Sequence, residues 1–391
     1  MAAESAQKFE ALQAQAYTLL DLFARTGYEP VAPSILQPAD VFLDQIGEAV
    51  RGRTYVFTDL AGDELCLRPD LTVPVSRLYL ERHPEADKVA RYCYNGPTFR
   101  FQPLGASRTH PREFRQAGIE CFGAVDRESA DVEMVLLAVE AVRSVGLREL
   151  GLRFGDIALF HALIDALDVP ERWRLKLRHY FWRPAAFHAM LGRLARGERP
   201  DSEGPAAVLA GTLAGATTER AEELVAAYLE QQAIPLAGSR SLSEVTERLL
   251  DHAADLRADP LPKEVATVID YFLAVAGPPR EAVDQVAMIG KGAGLDMDAA
   301  LDVVLRRFDR LARDGVDLGR ATFATELGRT LEYYTGLVFQ IESPGTDQTE
   351  PVAGGGRYDG LLVALGAPRE VPAVGLSVHT ERLLGAVERD S

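Results

Sequence analysis

Two stretches carry side chains that could do chemistry together: Arg91-Tyr-Cys-Tyr-Asn-Gly-Pro-Thr-Phe-Arg-Phe-Gln102 and Arg112-Glu-Phe-Arg-Gln-Ala-Gly-Ile-Glu-Cys-Phe-Gly123. Both are rich in aromatic and β-branched residues, and the segment between them holds Pro, Gly, Ser, Arg and His, which predicts a β-hairpin. Tyr94 and Arg100 are six residues apart and Gln116 and Glu120 four apart, so with the two-residue period of a strand each pair faces one side. A guanidinium, an amide and a carboxylate on one sheet face beside aromatic rings suit a zwitterion with a polar side chain. That is the profile of an amino acid. Taken alone, such a hairpin is more often a half-buried antiparallel pair with its polar face in water, so the rest of the chain has to decide.

The elements that must position these groups are legible on both sides of the hairpin. Phe9, Leu12, Ala16, Leu19, Leu20 and Phe23 recur at helical spacing over 8–24, and Gly27 stops the pattern. An extended segment follows over 27–36, and 55–59 with 64–68, separated by Leu60-Ala-Gly-Asp63, predict a second hairpin. Periodicity gives a helix over 129–145, with Ser129 as its N-cap and Asp131 and Glu133 in its first turn. From about 169 to 314 Ala, Leu, Arg and Glu dominate and turn clusters at 197–200 and 277–279 punctuate helical spacing, which predicts an all-helical insertion of four or more helices. Strand patterns return at 321–323, 338–341 and 373–378, with polar turns at 345–350 and 367–370. The expected division is therefore 1–168 as the first part of an α+β core, 169–314 as the helical insertion, and 315–391 as the second part of the core.

With 391 residues and 47% hydrophobic content, the chain can bury a substantial core in about two to three domains. No stretch approaches the roughly 20 apolar residues of a membrane span, and Met1-Ala-Ala-Glu-Ser5 lacks the basic-then-apolar form of a signal peptide, so a cytoplasmic protein is expected. Cys66, Cys93 and Cys121 are spaced for neither zinc nor a disulfide framework and read as reduced packing residues. No metal and no cofactor is expected. The net charge of −16 opposes approach to a polyanion such as tRNA unless basic groups concentrate on one face. The one dense basic stretch, Arg172, Arg174, Lys176, Arg178 and Arg183, reads as a solvated helix face.

The hairpin resembles motif 2 of class II aminoacyl-tRNA synthetases, most closely the histidyl enzymes. Leu67-Arg-Pro-Asp-Leu-Thr72, leading to Arg77, resembles that family's Arg-Pro-Glu-Gly-Thr element, Gly328-Arg-Thr-Leu-Glu-Tyr-Tyr-Thr-Gly336 its histidine-specific Arg-Gly-Leu-Asp-Tyr-Tyr element, and Gly354-Gly-Gly-Arg-Tyr-Asp-Gly360 its Gly-Gly-Arg-Tyr element. Gly27-Tyr-Glu-Pro-Val-Ala-Pro-Ser-Ile-Leu36 resembles motif 1, which builds the homodimer interface in that family. The resemblance implies an antiparallel sheet flanked by helices and a pocket for free L-histidine. Asp70 and Thr72 would hold the ammonium, Arg100 and Gln116 the carboxylate end, with Arg329 helping to position the carboxylate, and Glu120, Tyr333, Tyr334 and Tyr358 the side-chain end.

The nucleotide subsite departs from the pattern. Gln102 stands where motif 2 has a Glu that orients the nucleotide, and His379 stands just ahead of Thr380-Glu-Arg382 where histidyl enzymes keep a Gly, although Arg382 matches. The motif 3 helix closes the chain, where a histidyl-tRNA synthetase continues into an anticodon-binding domain, and the Gly-x-x-Asp element before the first helix is absent. A synthetase-like core with its amino-acid pocket kept and its other parts altered resembles the regulatory subunits of ATP phosphoribosyltransferase. That implies a short-form catalytic subunit as partner, a homodimer within a hetero-octamer, histidine as the regulatory ligand, no tRNA binding and no catalysis of its own. An active histidyl-tRNA synthetase-like enzyme and a stand-alone amino-acid sensor are the alternatives.

Overall fold

The hairpin predicted from aromatic and β-branched residues lies inside a broad sheet, next to its two-residue edge strand. The computed structural model describes residues 5–43, 51–103, 105–107, 110–196, 205–213, 215–232, 241–255, 261–328, 332–343 and 351–390. Its strands are β1 (Glu29–Pro30), β2 (Leu36–Pro38), β3 (Tyr55–Thr58), β4 (Glu64–Leu67), β5 (Ala90–Phe99), β6 (Glu113–Phe122), β7 (Gly151–Asp156), β8 (Ala276–Gly277), β9 (Ala321–Ala324), β10 (Leu337–Glu342), β11 (Ala353–Arg357) and β12 (Ala373–His379). Nine of them form one sheet in the order β1-β5-β6-β12-β11-β10-β7-β9-β8, and β2-β4-β3 form a second. The large sheet is antiparallel through its middle, with parallel pairs only at β1–β5 and β7–β9 among the described residues.

Register fixes which side chains share a face. Gln116 pairs with Gly96 and His379, Gly118 with Tyr94, and Glu120 with Tyr92 and Gly375. Directly opposed residues project to the same side, so Phe114, Gln116, Glu120, Tyr94 and His379 occupy one face. About three to four apolar side chains per two turns seat a helix on a core. The helix Arg127–Ser144 does more, burying Val132, Met134, Val135, Ala138, Ala141 and Val142.

The chain divides into two units, one comprising 1–168, 181–183 and 271–391, the other 169–180 and 184–270. The second unit has its own core of Leu209, Leu213, Ala221 and Val225, packed with Tyr228, Leu242, Val245 and Leu249. The insertion predicted to run to 314 thus differs from the observed division at its far end. Residues 271–314 hold β8, which pairs with β9, and the helices Pro279–Gly292 and Asp298–Arg313, which pack with the sheet's own unit.

Four local expectations are corrected. The helix predicted over 129–145 starts at Arg127 with Asp126 as N-cap, its carboxylate accepting from the Ser129 N–H at 3.0 Å, so Ser129 lies inside the first turn. Asp131 does not serve the helix dipole but is fully buried against two arginines, and Glu133 pairs with Arg91. The extended segment 27–36 contributes only two paired residues to the large sheet, Glu29 and Pro30 beside Tyr92 and Cys93. The basic stretch at 172–183 is half-buried rather than solvated. All three cysteines are buried and free, and no described helix is long and apolar enough to cross a membrane. The predicted turns at 197–200 and 345–350, and Arg329, lie outside the described residues.

Candidate functional site

Glu120 is the buried anchor of the sheet's polar face, with 1% of its surface exposed. Strand β6 aims it across β12 at Gly375, where any β-carbon would collide with the carboxylate. On its other side Gly118 leaves room for the Tyr94 hydroxyl, which donates to Glu120 Oε1 at 2.9 Å. The Tyr358 hydroxyl donates to Oε2, and the Thr72 hydroxyl adds a third bond. Burial pushes the Glu120 carboxyl up to about 7 despite these hydrogen bonds, and the charge of Asp70 adds to the rise. A buried carboxylate with hydroxyl partners and no cation holds its charge at a cost. It is ready for a donor that brings a proton or a positive charge.

Asp70 and Thr72 come from the turn into the helix Thr72–Arg82. Asp70 Oδ1 accepts from the Val73 N–H at 3.2 Å. Burial raises its pKa, opposed by that bond and by Arg100 and Arg68. The segment 332–336 brings Tyr333 against Tyr334 and Tyr358, with ring centroids 5.0 Å and 5.8 Å apart. Burial raises all three phenols, and Glu120 adds to the rise in each. Asp70, Thr72, Glu120, Tyr333, Tyr334 and Tyr358, six residues singled out from sequence, therefore gather at one place.

Arg100 lies just beyond β5, its Nε donating to Pro69 O at 2.9 Å, its guanidinium 5.0 Å from the Phe114 ring. Burial lowers its pKa, Asp70 opposes the fall and Arg53 adds to it. Phe114 stacks at 4.6 Å and 7° on His379. Burial and then Arg100 depress the His379 imidazole to about 3, so it is neutral at ordinary pH. Arg382 falls to about 10 by burial and by the charges of Arg100 and Arg53. Gln102 faces no open site: its amide accepts from Arg53 and donates to Pro111 O at 3.0 Å. Gln116 is half-buried on the same face, between the two groups and bonded to neither among the described contacts.

Sequence reasoning placed Tyr94 on the correct face but did not count it as a ligand of Glu120, and it passed over Phe114 and Arg53. Gly118 and Gly375 were the signals for Tyr94 and Glu120, because each is a gap that the neighbouring side chain fills.

The pocket and the sheet that carries it define a class II synthetase-like protein of the histidyl type: the family model for histidyl-tRNA synthetase matches residues 4–261 and 223–383. Within that class, the chain belongs to the family of ATP phosphoribosyltransferase regulatory subunits. It is 36% identical over 373 residues to the "ATP phosphoribosyltransferase regulatory subunit" of Mesorhizobium japonicum, covering 94% of this chain and 96% of that one. Among solved structures, "an ATP phosphoribosyltransferase regulatory subunit/histidyl-tRNA synthetase" from Bacillus halodurans superposes with a TM-score of 0.66 at 19% identity, covering 99% of this chain and 81% of that one, which speaks to fold. A "Histidine--tRNA ligase subunit" from Alicyclobacillus acidocaldarius gives a TM-score of 0.61 at 25% identity, covering 100% and 96%.

Proposed function

We propose that this chain is the regulatory subunit of an ATP phosphoribosyltransferase, activating a short catalytic subunit in histidine biosynthesis and sensing L-histidine in the Glu120 pocket. The observation that carries the ligand is Glu120 itself, buried, held by Tyr94, Tyr358 and Thr72, and lacking a cationic partner among the described residues. An imidazole N–H, which can carry a positive charge, adds to these hydroxyls the kind of donor they cannot supply, and Asp70 beside Thr72 suits an α-ammonium. Arg100 supplies a cation for the carboxylate end, with Gln116 and Arg329 assigned to that end by the family resemblance. The Phe114–His379 stack and the engagement of Gln102 by Arg53 support a nucleotide subsite that is filled by the protein's own groups. The chain then forms no adenylate, binds no tRNA, and acts through a homodimer within a hetero-octamer.

Calorimetry of the isolated chain with L-histidine tests the pocket, with micromolar binding expected and no heat at millimolar histidine sinking it. Mixing with a short-form catalytic subunit from the same source should give a larger co-eluting species with higher turnover, reduced by histidine. The retained Arg100 and Arg382 favour one other reading, a histidyl-tRNA synthetase-like enzyme. Histidine-dependent pyrophosphate exchange at the ordinary enzyme rate of about 1–10³ per second would put it first.

A further inference from the structure

Beneath the pocket, on the opposite face of the sheet, lies a chain of buried charges that no ligand contact explains. Tyr358 rises into the pocket, while its neighbour Arg357 projects to the other side by strand alternation. Arg357 is 4% exposed. Its Nε donates to Asp131 Oδ1 at 2.8 Å, its Nη1 to Asp359 Oδ1 at 2.8 Å, and its Nη2 to Arg127 O at 2.9 Å. Asp131 in turn pairs through Oδ2 with Arg307 at 2.7 Å, and Arg307 with Asp156 at 2.7 Å. The order is Asp156, Arg307, Asp131, Arg357, Asp359, alternating in sign, and every member is 6% exposed or less. Arg127, half exposed, closes the end by pairing with Asp359 Oδ2 at 3.2 Å.

Buried ion pairs of this kind are weak evidence for stability, because desolvation offsets much of their attraction, and fixing one geometry is their better-attested use. What this chain fixes is the pocket's aromatic wall, at two points. At one end Asp359 Oδ1 accepts from the Ala373 N–H at 2.8 Å, the Asp359 N–H donates to Thr335 Oγ1 at 3.0 Å, and the Thr335 N–H donates to Arg357 O at 2.8 Å. These bonds bracket Tyr358 and tie it to the segment that carries Tyr333 and Tyr334. At the other end Asp156 caps the helix Ile157–Ala166, and the Ile157 N–H donates to Gly336 O at 3.0 Å, two residues after Tyr334.

We propose that Arg357, Asp131 and Arg307 are positioning residues of the pocket, holding the Tyr358 hydroxyl on Glu120 and the Tyr333–Tyr334 pair beside it from the far side of the sheet. The helix Asp298–Arg313, which carries Arg307, is thereby joined to ligand affinity without touching the ligand. The proposal rests on histidine as the ligand only for one of its two readouts.

Both readouts use the full chain with Asp131→Asn, Arg307→Lys and Arg127→Met. The last of these changes a half-exposed side chain and keeps a folded protein available if the buried variants fail to fold. Arg307→Lys keeps the charge and loses the fork that spans two carboxylates. The first readout is histidine affinity by calorimetry, expected to weaken about 3- to 30-fold in the buried variants and less in Arg127→Met. The second is the Glu120 carboxyl titration followed by ¹³C NMR in unliganded protein, with its signal assigned by Glu120→Gln. Glu120 is faced by Tyr94 from β5, Asp70 and Thr72 before the next helix, Tyr358 after β11, and Tyr333 and Tyr334. A displaced Tyr358 hydroxyl raises the Glu120 midpoint, as Tyr358→Phe does directly. Leu311→Ala, which empties a cavity in the same helix, should lower Tm and move neither readout. Variants that lower Tm like Leu311→Ala but leave both the Glu120 midpoint and histidine affinity unmoved would overturn the proposal. If the wild-type chain takes up no histidine, the functional reading fails while the Glu120 titration still decides this one.

Discussion

The two ends of one sheet face handle buried charge in opposite ways. Burial pushes protons onto Asp70 and, with the charge of Asp70 added, onto Glu120, whereas burial and neighbouring guanidiniums, Arg53 for Arg100 and both Arg100 and Arg53 for Arg382, push them off at the other end. Arg100 links the two ends electrostatically, its charge and those of Asp70 and Tyr333 each easing the other's shift. At the acidic end the hydroxyls of Tyr358, Thr72 and Tyr94 offset part of the cost of burying Glu120. At the basic end Arg100 lies against the Phe114 ring, which stacks on His379. One end is thus an acidic cluster held by hydroxyls, the other a basic cluster set against stacked rings, and the proposed function assigns the ligand to the first and closure to the second.

The strongest way to break that contrast is Glu120→Ala. It should weaken histidine binding by about 2–4 kcal/mol, since it removes the one charged acceptor of a buried donor; calorimetry within a factor of three of wild type would contradict it. Next comes pH. A ligand N–H needs the ionised carboxylate, so affinity should fall as pH drops below about 7, by up to about tenfold per unit. Stability of the unliganded protein runs the other way. Glu120 has a folded pKa above its unfolded one, so its contribution is fully present below the unfolded value near 4.5 and is lost as pH rises through about 7. Affinity and melting temperature measured from pH 8 to 6 should therefore diverge. Tyr94→Phe should cost about 1 kcal/mol of affinity, only part of the roughly 1.5–3 kcal/mol of a hydrogen bond to a charged group, because that bond is already made without ligand. The smallest effect on histidine is expected at the shut end. His379→Gly should change histidine affinity less than about threefold, and should let an adenine nucleotide quench or shift a probe near Phe114 where wild type does not. A large loss of histidine binding in that variant would mean that the two ends are one site.

Much of this face was legible in sequence because its chemistry is local to motifs. Asp70 and Thr72 are two residues apart, Tyr333 and Tyr334 adjacent, and the alternation of β6 put Gln116 and Glu120 on one side. What was not legible depended on partners far along the chain. Asp131 looked like a helix-start acid because its arginines stand at 307 and 357. Asp126 and Ser129 are both good cap residues three apart, so local preference could not choose between them. The helices at 279–292 and 298–313 have the same amphipathic texture as the insertion before them. Only the two-residue strand at 276–277, too short to show a period, marks the return to the sheet.

Gly375 sits opposite Glu120 with no room for a β-carbon. The space beside Glu120 is thus left by an absent atom, and a single methyl group there meets both the Glu120 carboxylate and, at 2.8 Å, the Ile119 carbonyl of the paired strand. One nucleotide change, glycine to alanine, is therefore enough to push the buried carboxylate against Tyr94 and Tyr358, so the glycine is as necessary to the Glu120 cluster as the hydroxyls that donate to it.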